Sequence, residues 1–265
     1  MKKIISTIAV IAVFAIIIVF CLISVLSQKN TEYREKADFE QIEEVVTEKT
    51  TQAIKIPIIL NTKDEENIVE LSNQSSETIT YYQPHSVSDL LAMNSDCFGW
   101  LSIVGTNINY PVMHTPNEPQ KYLNKNFYGD YSQSGVPFLD SRCKLDNTNL
   151  IMYGHNMNNG TMFAELCNYT VYSYFTQHPT VVFETKNGIS AYTVFAVMKV
   201  KSDDDWYRFI TADTKRDYDS KIDYAKTHSL YDTGITPKYN KQLLTLSTCY
   251  GGNSDNRILV LAVEN

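Results

Sequence analysis

Cys249 closes an apolar run, Thr245-Leu246-Ser247-Thr248-Cys249, and the glycine-rich stretch Gly251-Gly252-Asn253 follows almost at once. A thiol at the end of a strand, beside a flexible loop, is accessible to substrate; a structural cysteine sits more often inside the apolar run. Eight residues on, Arg257 opens the next apolar run, Ile258 to Val263. If the two runs pair as a hairpin, the loop returns Arg257 to Cys249. A guanidinium there favours a thiolate and can donate hydrogen bonds to a developing oxyanion. A thiol nucleophile commonly works with a histidine. Of the five histidines, His155 follows the apolar run Leu150 to Tyr153 across Gly154, which permits a sharp turn and close backbone approach. His85, His114 and His178 stand beside prolines or polar turns and read as solvated loop residues. His228 ends a helical segment, where a cation suits the helix dipole. Taken singly, Cys249 also fits a buried small hydrophobe and His155 a turn residue. The case for chemistry rests on both standing at the ends of apolar strands.

Those strands belong to a β-rich pattern. Trp100 to Val104, Asn109 to Met113, Val136 to Leu139 and Asn149 to Tyr153 read as strands, as do Thr180 to Glu184, Ala191 to Lys201, Gln242 to Thr248 and Arg257 to Val263. Turn signals separate them at Gly105-Thr106-Asn107, Asn187-Gly188 and Gly251-Gly252-Asn253. Eight short strands with few helices predict a mainly β fold, a closed or nearly closed barrel. Two helices interrupt it. Ser86-Val87-Ser88-Asp89 has capping-box spacing before a short helix over Val87 to Asn94. Asp213 to His228 carries Tyr218, Ile222 and Ala225 at spacings of four and three, which predicts a helix inserted between the sixth and seventh strands.

Composition bounds the rest. The chain has 265 residues with 43% apolar content, enough for one core of ordinary size plus attachments. The 18 Tyr and 11 Phe suit pleated surfaces. The net charge of -7 and the lack of a basic cluster argue against a nucleic-acid groove, which must offset phosphates. Five cysteines are too few, and odd in number, for a disulfide framework. Cys97, Cys143 and Cys167 read as structural. No Cys-x-x-Cys or His-x-x-x-His pair offers a metal site, and Asp203-Asp204-Asp205 lacks an EF-hand loop, so no metal and no cofactor is expected.

Ile4 to Leu26 contains no charged residue. As a helix it is ~35 Å long, enough to cross a ~30 Å hydrocarbon core with some tilt. Lys2 and Lys3 precede it, which predicts an N-terminus inside and the remainder outside. The run is long for a cleaved signal peptide, and Val25-Leu26-Ser27 is a poor cleavage site. The expected organisation is a cytoplasmic 1–3, a membrane anchor 4–26, a stalk with a helical segment over 27–80, and a dense domain over 81–265.

At these residues the chain resembles the sortases, membrane-anchored cysteine transpeptidases of Gram-positive cell surfaces. The Thr-Leu-Ser-Thr-Cys run with Arg257 eight residues on is similar to the family's nucleophile signature, and Tyr153-Gly154-His155-Asn156 to its histidine motif. Gly99-Trp100-Leu101, Gly105 to Val112, Tyr122-Leu123, Asn126 to Gly129 and Gly135 to Asp140 continue the likeness, which covers roughly 85 to 265. The N-terminal anchor, N-terminal helices and inserted helix resemble class B; class A typically lacks that helix and uses acidic residues for Ca²⁺. The resemblance implies an eight-stranded sortase β-barrel. It implies Cys249 as nucleophile, His155 as general acid/base and Arg257 as oxyanion stabiliser. Ser247 and Tyr153 match positions that line the family's sorting-signal groove, and Tyr207, in a loop that aligns poorly with the family, is a further candidate. The implied partners are the sorting-signal peptide of a secreted surface protein and an amine from a peptidoglycan cross-bridge or its lipid-linked precursor. An anchor would hold enzyme and substrate on one membrane face and raise their effective concentration.

Three other readings are open. A wall-directed cysteine peptidase or hydrolase of the papain-like kind places Cys before His, whereas here His155 comes first. An L,D-transpeptidase has an Arg close behind its Cys, whereas here the gap is eight. A membrane-tethered β-barrel binding module without catalysis would leave Cys249 inert toward thiol reagents.

Overall fold

The computed structural model describes residues 2–47, 53–58 and 78–265. The chain divides into two units, residues 1–45 and 46–265. Helix α1 (Lys2–Val46) is continuous, and no glycine or proline interrupts its sequence. The expected anchor and the expected stalk helix are thus one element. Two polar side chains in it bond back to their own helix: Ser24 Oγ donates to the Phe20 carbonyl at 2.9 Å, and Thr31 Oγ1 to Ser27 at 3.1 Å. From Val13 onward α1 is long and apolar enough to cross a membrane, by length and composition. Of the stalk expected over 27–80, residues 48–52 and 59–77 lie outside the described residues.

In the second unit, β1 (Ile54–Ile58) and β2 (Thr78–Tyr82) form an antiparallel pair. Ile56 and Tyr82 pack against Val182, with Val104 and Ala191 alongside. The apolar run at Ile54 therefore has a packing partner, which its stalk reading did not foresee. Helix α2 (Val87–Met93) follows, capped by Ser86 Oγ, which accepts from the Asp89 N–H.

The remaining eight strands close a barrel: β3 (Cys97–Ile103), β4 (Asn109–Met113), β5 (Phe138–Leu139), β6 (Asn149–Tyr153), β7 (Thr180–Thr185), β8 (Gly188–Lys201), β9 (Leu243–Tyr250) and β10 (Asn253–Glu264). Their order around the barrel is β10, β8, β7, β3, β4, β5, β6, β9. Closure removes the exposed edges that a sheet of this apolar content would carry. Two neighbouring pairs are parallel, β4 with β5 and β6 with β9; the others are antiparallel. All eight expected strands are present, with ends moved by a few residues.

Helix α3 (Tyr172–Gln177) lies between β6 and β7, and α4 (Lys215–His228) lies between β8 and β9, the sixth and seventh barrel strands. Helix α4 is capped by Thr214, whose Oγ1 accepts from Asp217 N–H. Tyr218, Ile222 and Ala225 share one buried face and pack with Phe195, Met198, Leu259 and Leu261. Burying a large apolar side chain such as Ile222 contributes about 1.5–3 kcal/mol. The 3-10 turn Asp205–Arg208 precedes α4 and is pinned by Trp206, which is fully buried and donates from Nε1 to Thr245 Oγ1 at 2.9 Å.

The reading of His85 as solvated is corrected. His85 is buried; its Nδ1 lies 2.6 Å from Glu184 Oε1, and its backbone N–H donates to Oε2 at 2.9 Å. Tyr82 Oη donates to the same carboxylate at 2.7 Å, and the imidazole stacks on Trp100 with centroids 4.2 Å apart. Buried polar groups demand such partners, and β7 supplies the carboxylate. His178 is also held, its Nδ1 donating to the Val104 carbonyl at 3.1 Å. His114 is half-buried, and burial pulls its imidazole below the usual value, so it favours the neutral form.

Candidate active site

Three strand ends meet at one cavity. Strand β6 ends at Tyr153 and delivers Gly154 and His155. Strand β9 carries Ser247, Thr248 and Cys249. Strand β10 carries Arg257. All seven line a cavity of about 420 Å³, together with Tyr207, Asp140, Phe138, Leu123 and Ser202 among others. The structure therefore brings together every residue singled out in the sequence: His155, Cys249, Arg257, Ser247, Tyr153 and Tyr207.

The β9–β10 hairpin sets the Cys–Arg relationship. Tyr250 pairs with Asn253 across Gly251 and Gly252, whose φ values are 69° and 71°. A two-residue turn with both central φ angles positive is the kind whose twist matches flanking strands, and glycine adopts it without strain. The register then shifts, and Cys249 pairs directly with Arg257. Between them the register is irregular, and Asp255 accepts from Ser202 Oγ at 2.6 Å and faces Lys201 at 3.3 Å. Arg257 Nη1 donates to the Asn256 carbonyl at 3.1 Å.

His155 is fastened on both sides. The parallel pairing of β6 with β9 sets Tyr153 opposite Ser247. Beyond the last pair, Thr248 Oγ1 donates to the Gly154 carbonyl at 2.7 Å, and Gly154 N–H donates to the Ser247 carbonyl at 3.2 Å. On the other side, Asn156 Nδ2 donates to the Cys249 carbonyl at 3.0 Å. The ring itself donates from Nε2 to the Leu123 carbonyl at 2.9 Å. That bond keeps a proton on Nε2, so Nδ1 is the lone-pair nitrogen whenever the ring is neutral. Gly154 is required for packing: a Cβ there would come within 2.6 Å of the Phe163 ring.

Tyrosines form one wall. Tyr207 Oη and Ser247 Oγ are 2.8 Å apart, and Tyr153 and Tyr207 stack with centroids 6.1 Å apart. Burial pushes the Tyr207 phenol up to about 12, against the opposing pull of Ser247 and of the nearby Arg257 charge. Burial, then the Asp140 carboxylate, pushes the Tyr153 phenol upward as well. Both remain protonated hydrogen-bond donors at neutral pH.

Three neighbours were given no role in the sequence reading. Asn156 and Asp140 entered it only as the last residues of quoted motifs. Cys167 was read as structural, yet it is half-exposed and lies beside β9: its Sγ is 3.3 Å from Asn156 Nδ2 and 3.9 Å from the Cys249 carbonyl. Burial pushes its thiol up, and Cys249 adds to this. Cys97 and Cys143 are buried, which pushes their thiols to about 12 and about 11 and keeps them protonated. All five thiols are free. Among the described residues no cluster of His, Cys, Asp or Glu could hold a metal ion.

The chain is similar to known proteins over its barrel domain. Residues 101–265 match the sortase domain family model. The chain is 30% identical over 203 residues to Sortase B of Staphylococcus aureus, covering 74% of this chain and 82% of that protein. Among solved structures, the Staphylococcus aureus sortase B–substrate complex superposes with a TM-score of 0.63 at 31% identity, covering 68% of this chain and 84% of the other. Sortase B of Clostridium perfringens does so with a TM-score of 0.63 at 32% identity, covering 68% of this chain and all of the other. A closed mixed barrel with a helix between its sixth and seventh strands, and one cavity holding a strand-end cysteine, histidine and arginine, thus coincide with a match over most of the domain: the chain belongs to the sortase family of cysteine transpeptidases, in class B.

Proposed function

We propose that this protein cleaves a C-terminal sorting signal on secreted proteins and transfers the acyl part to a cell-wall amine. The observation that carries the reading is the direct pairing of Cys249 with Arg257 in the cavity that His155 also lines. In the first half-reaction the Cys249 thiolate attacks the carbonyl carbon of the scissile Thr. A C–S bond forms, the carbonyl oxygen takes the negative charge, and Arg257 donates to it. The C–N bond then breaks, and protonated His155 gives its proton to the leaving amine. In the second half-reaction an amine from a peptidoglycan cross-bridge or lipid-linked precursor attacks the thioester. His155 takes the amine's proton, and Cys249 leaves as thiolate.

Ser247, Tyr153 and Tyr207 are the proposed lining for the peptide. The substrate complex solved for the Staphylococcus aureus relative supports peptide binding in this family. For localisation, the apolar part of α1 is the proposed single-pass anchor, with Lys2 and Lys3 inside and the barrel outside. The proposed limits are anchor 4–26, stalk 27–80 and catalytic domain 81–265.

Mass spectrometry of enzyme mixed with a fluorogenic peptide bearing Thr at the scissile carbonyl tests the reading. A thioacyl adduct on Cys249, discharged by added amine, is expected. Peptide cleavage that persists in Cys249→Ala would sink it.

A further inference from the structure

Asp140 and Arg142 stand just beyond β5, and neither is a reacting group in the mechanism above. Asp140 is buried, at 8% exposure, and each carboxylate oxygen is engaged. Oδ1 accepts from Arg142 Nε at 2.8 Å and from the Arg142 backbone N–H at 3.0 Å. Oδ2 accepts from Arg142 Nη2 at 2.8 Å and from Tyr153 Oη at 2.8 Å. The Arg142 fork does more than neutralise this carboxylate. Its Nη2 also donates to the Tyr207 backbone carbonyl at 2.7 Å, reaching 65 residues along the chain into the insertion between β8 and β9. Tyr207 in turn meets Ser247 through its hydroxyl and Tyr153 through its ring. One ion pair thereby ties the β5 end, the β6 end and the inserted turn into a single wall, and Asp140, Tyr153, Tyr207 and Ser247 all line the cavity of Cys249.

The residue before Tyr207 is fixed separately, by Trp206 bonded to Thr245. The Arg142 bond is therefore placed to set how far the Tyr207 side of the turn stands from β5. Burial opposes ionisation of Asp140, but the hydrogen bonds from Arg142 and Tyr153 and the Arg142 charge together outweigh it and hold the carboxyl below its ordinary value, so the clamp is charged at neutral pH.

We infer that the Asp140–Arg142 pair is a positioning clamp that sets the width of the peptide groove by holding Tyr207 against Tyr153. This rests on the proposed peptide-cleaving function. The clamp touches binding rather than bond making, so its loss should appear in peptide affinity and KM, with kcat retained.

The experiment uses a fluorogenic peptide series with Thr at the scissile carbonyl, varied at each other position. Affinity is measured by titration into Cys249→Ala, which needs no chemistry, and KM and kcat in the otherwise intact enzyme. Arg142→Gln is expected to raise Kd and KM about tenfold, the scale of one charge-assisted hydrogen bond, with kcat within about twofold. It should also blunt discrimination at one or two peptide positions. Arg142→Lys keeps the charge beside Asp140 but not the planar fork, and should recover only part. Because Arg142→Gln leaves a buried carboxylate uncompensated, Asp140→Asn with Arg142→Gln is measured beside it, together with melting temperatures. Lower melting temperatures with unchanged Kd and KM would show a purely structural pair and overturn the clamp. Loss of kcat with unchanged Kd would overturn it too, as would failure of every peptide to bind Cys249→Ala. If the peptides bind and the Kd shift holds but the intact enzyme forms no thioacyl adduct, the clamp stands and the transpeptidase reading falls.

Discussion

Arg257 and Cys249 sit directly opposite one another in the antiparallel register of β9 and β10. Residues paired in this way project to the same face with Cβ atoms about 5 Å apart. The backbone therefore brings the two side chains out next to each other, within reach of the arginine's flexible stem. This arrangement suits a group that must meet charge on an oxygen one bond removed from the attacked carbon.

From this follows a separation of roles. In the proposed mechanism Cys249 and His155 act as a unit, since a thiolate without its acid cannot expel an amine. Cys249→Ala and His155→Ala should each abolish turnover, and the double variant should be no worse. Arg257→Ala should lower kcat by about 10²–10³ with little change in KM, as expected on losing an oxyanion donor. Arg257→Lys should recover part. Steady-state kinetics on a cleaved peptide decide the matter. A large rise in KM with kcat intact would reassign Arg257 to substrate binding.

The hairpin was readable because its information is local: an apolar run, two glycines, and an arginine at a fixed distance. The barrel strands were readable for the same reason, and so was α4, whose Tyr218, Ile222 and Ala225 repeat at helical spacing. Most of the missed features depend on residues far apart in the chain. Asn156 meets the Cys249 carbonyl across 93 positions, and His85 meets Glu184 across 99. A histidine next to a proline carries the local signature of a loop, and only the folded barrel supplies the carboxylate that lets it be buried. Likewise the run at Ile54 gains its meaning from Val182 on β7.

Gly154 offers a test of how tightly His155 is placed. Its φ is not in the left-handed region, so alanine is acceptable to the backbone there. The obstacle is Phe163, which is fully buried and whose ring would lie 2.6 Å from the new Cβ. Gly154→Ala should lower stability by about 1–3 kcal/mol, the usual cost of overpacking, and lower kcat by displacing His155. Adding Phe163→Leu should restore part of the activity by opening space. Denaturant unfolding and kinetics on both variants check this; an active, fully stable Gly154→Ala would show that the ring yields without moving His155.

The pH dependence of stability has a defined sign at Asp140. Burial raises its folded-state value, but the hydrogen bonds from Arg142 and Tyr153 and the Arg142 charge together depress it below 3.8. A depressed carboxyl contributes stability that is fully present above the unfolded value and is lost as pH falls through the folded one. Melting temperature should therefore fall below about pH 4, and the fall should be shallower in Asp140→Asn with Arg142→Gln. Asp96 is depressed for a similar reason, its hydrogen bond from Lys121, so some acid sensitivity should survive in that variant. Identical acid profiles for the two proteins would remove Asp140 from the account.

The last expectation concerns the anchor. Apart from Ser24, the side chains of α1 from Val13 to Leu26 are exposed and mainly apolar, a surface suited to a lipid environment. If this stretch spans a bilayer with Lys2 and Lys3 inside, protease added to intact protoplasts should destroy the barrel domain, and detergent should be needed to extract the full chain. A chain beginning near Thr31 should be soluble and still cleave peptides, because each residue lining the site lies between Pro119 and Arg257. Its peptide cleavage should be unchanged by EDTA or added Ca²⁺, since no ligand cluster is present among the described residues. Transfer to a membrane-bound acceptor should nevertheless be slower for the truncated chain, because tethering to the same surface raises effective concentration without any new contact. Protection of the barrel in protoplasts would invert the assigned topology. Equal transfer rates for tethered and truncated chains would show that the anchor does not govern encounter with the acceptor.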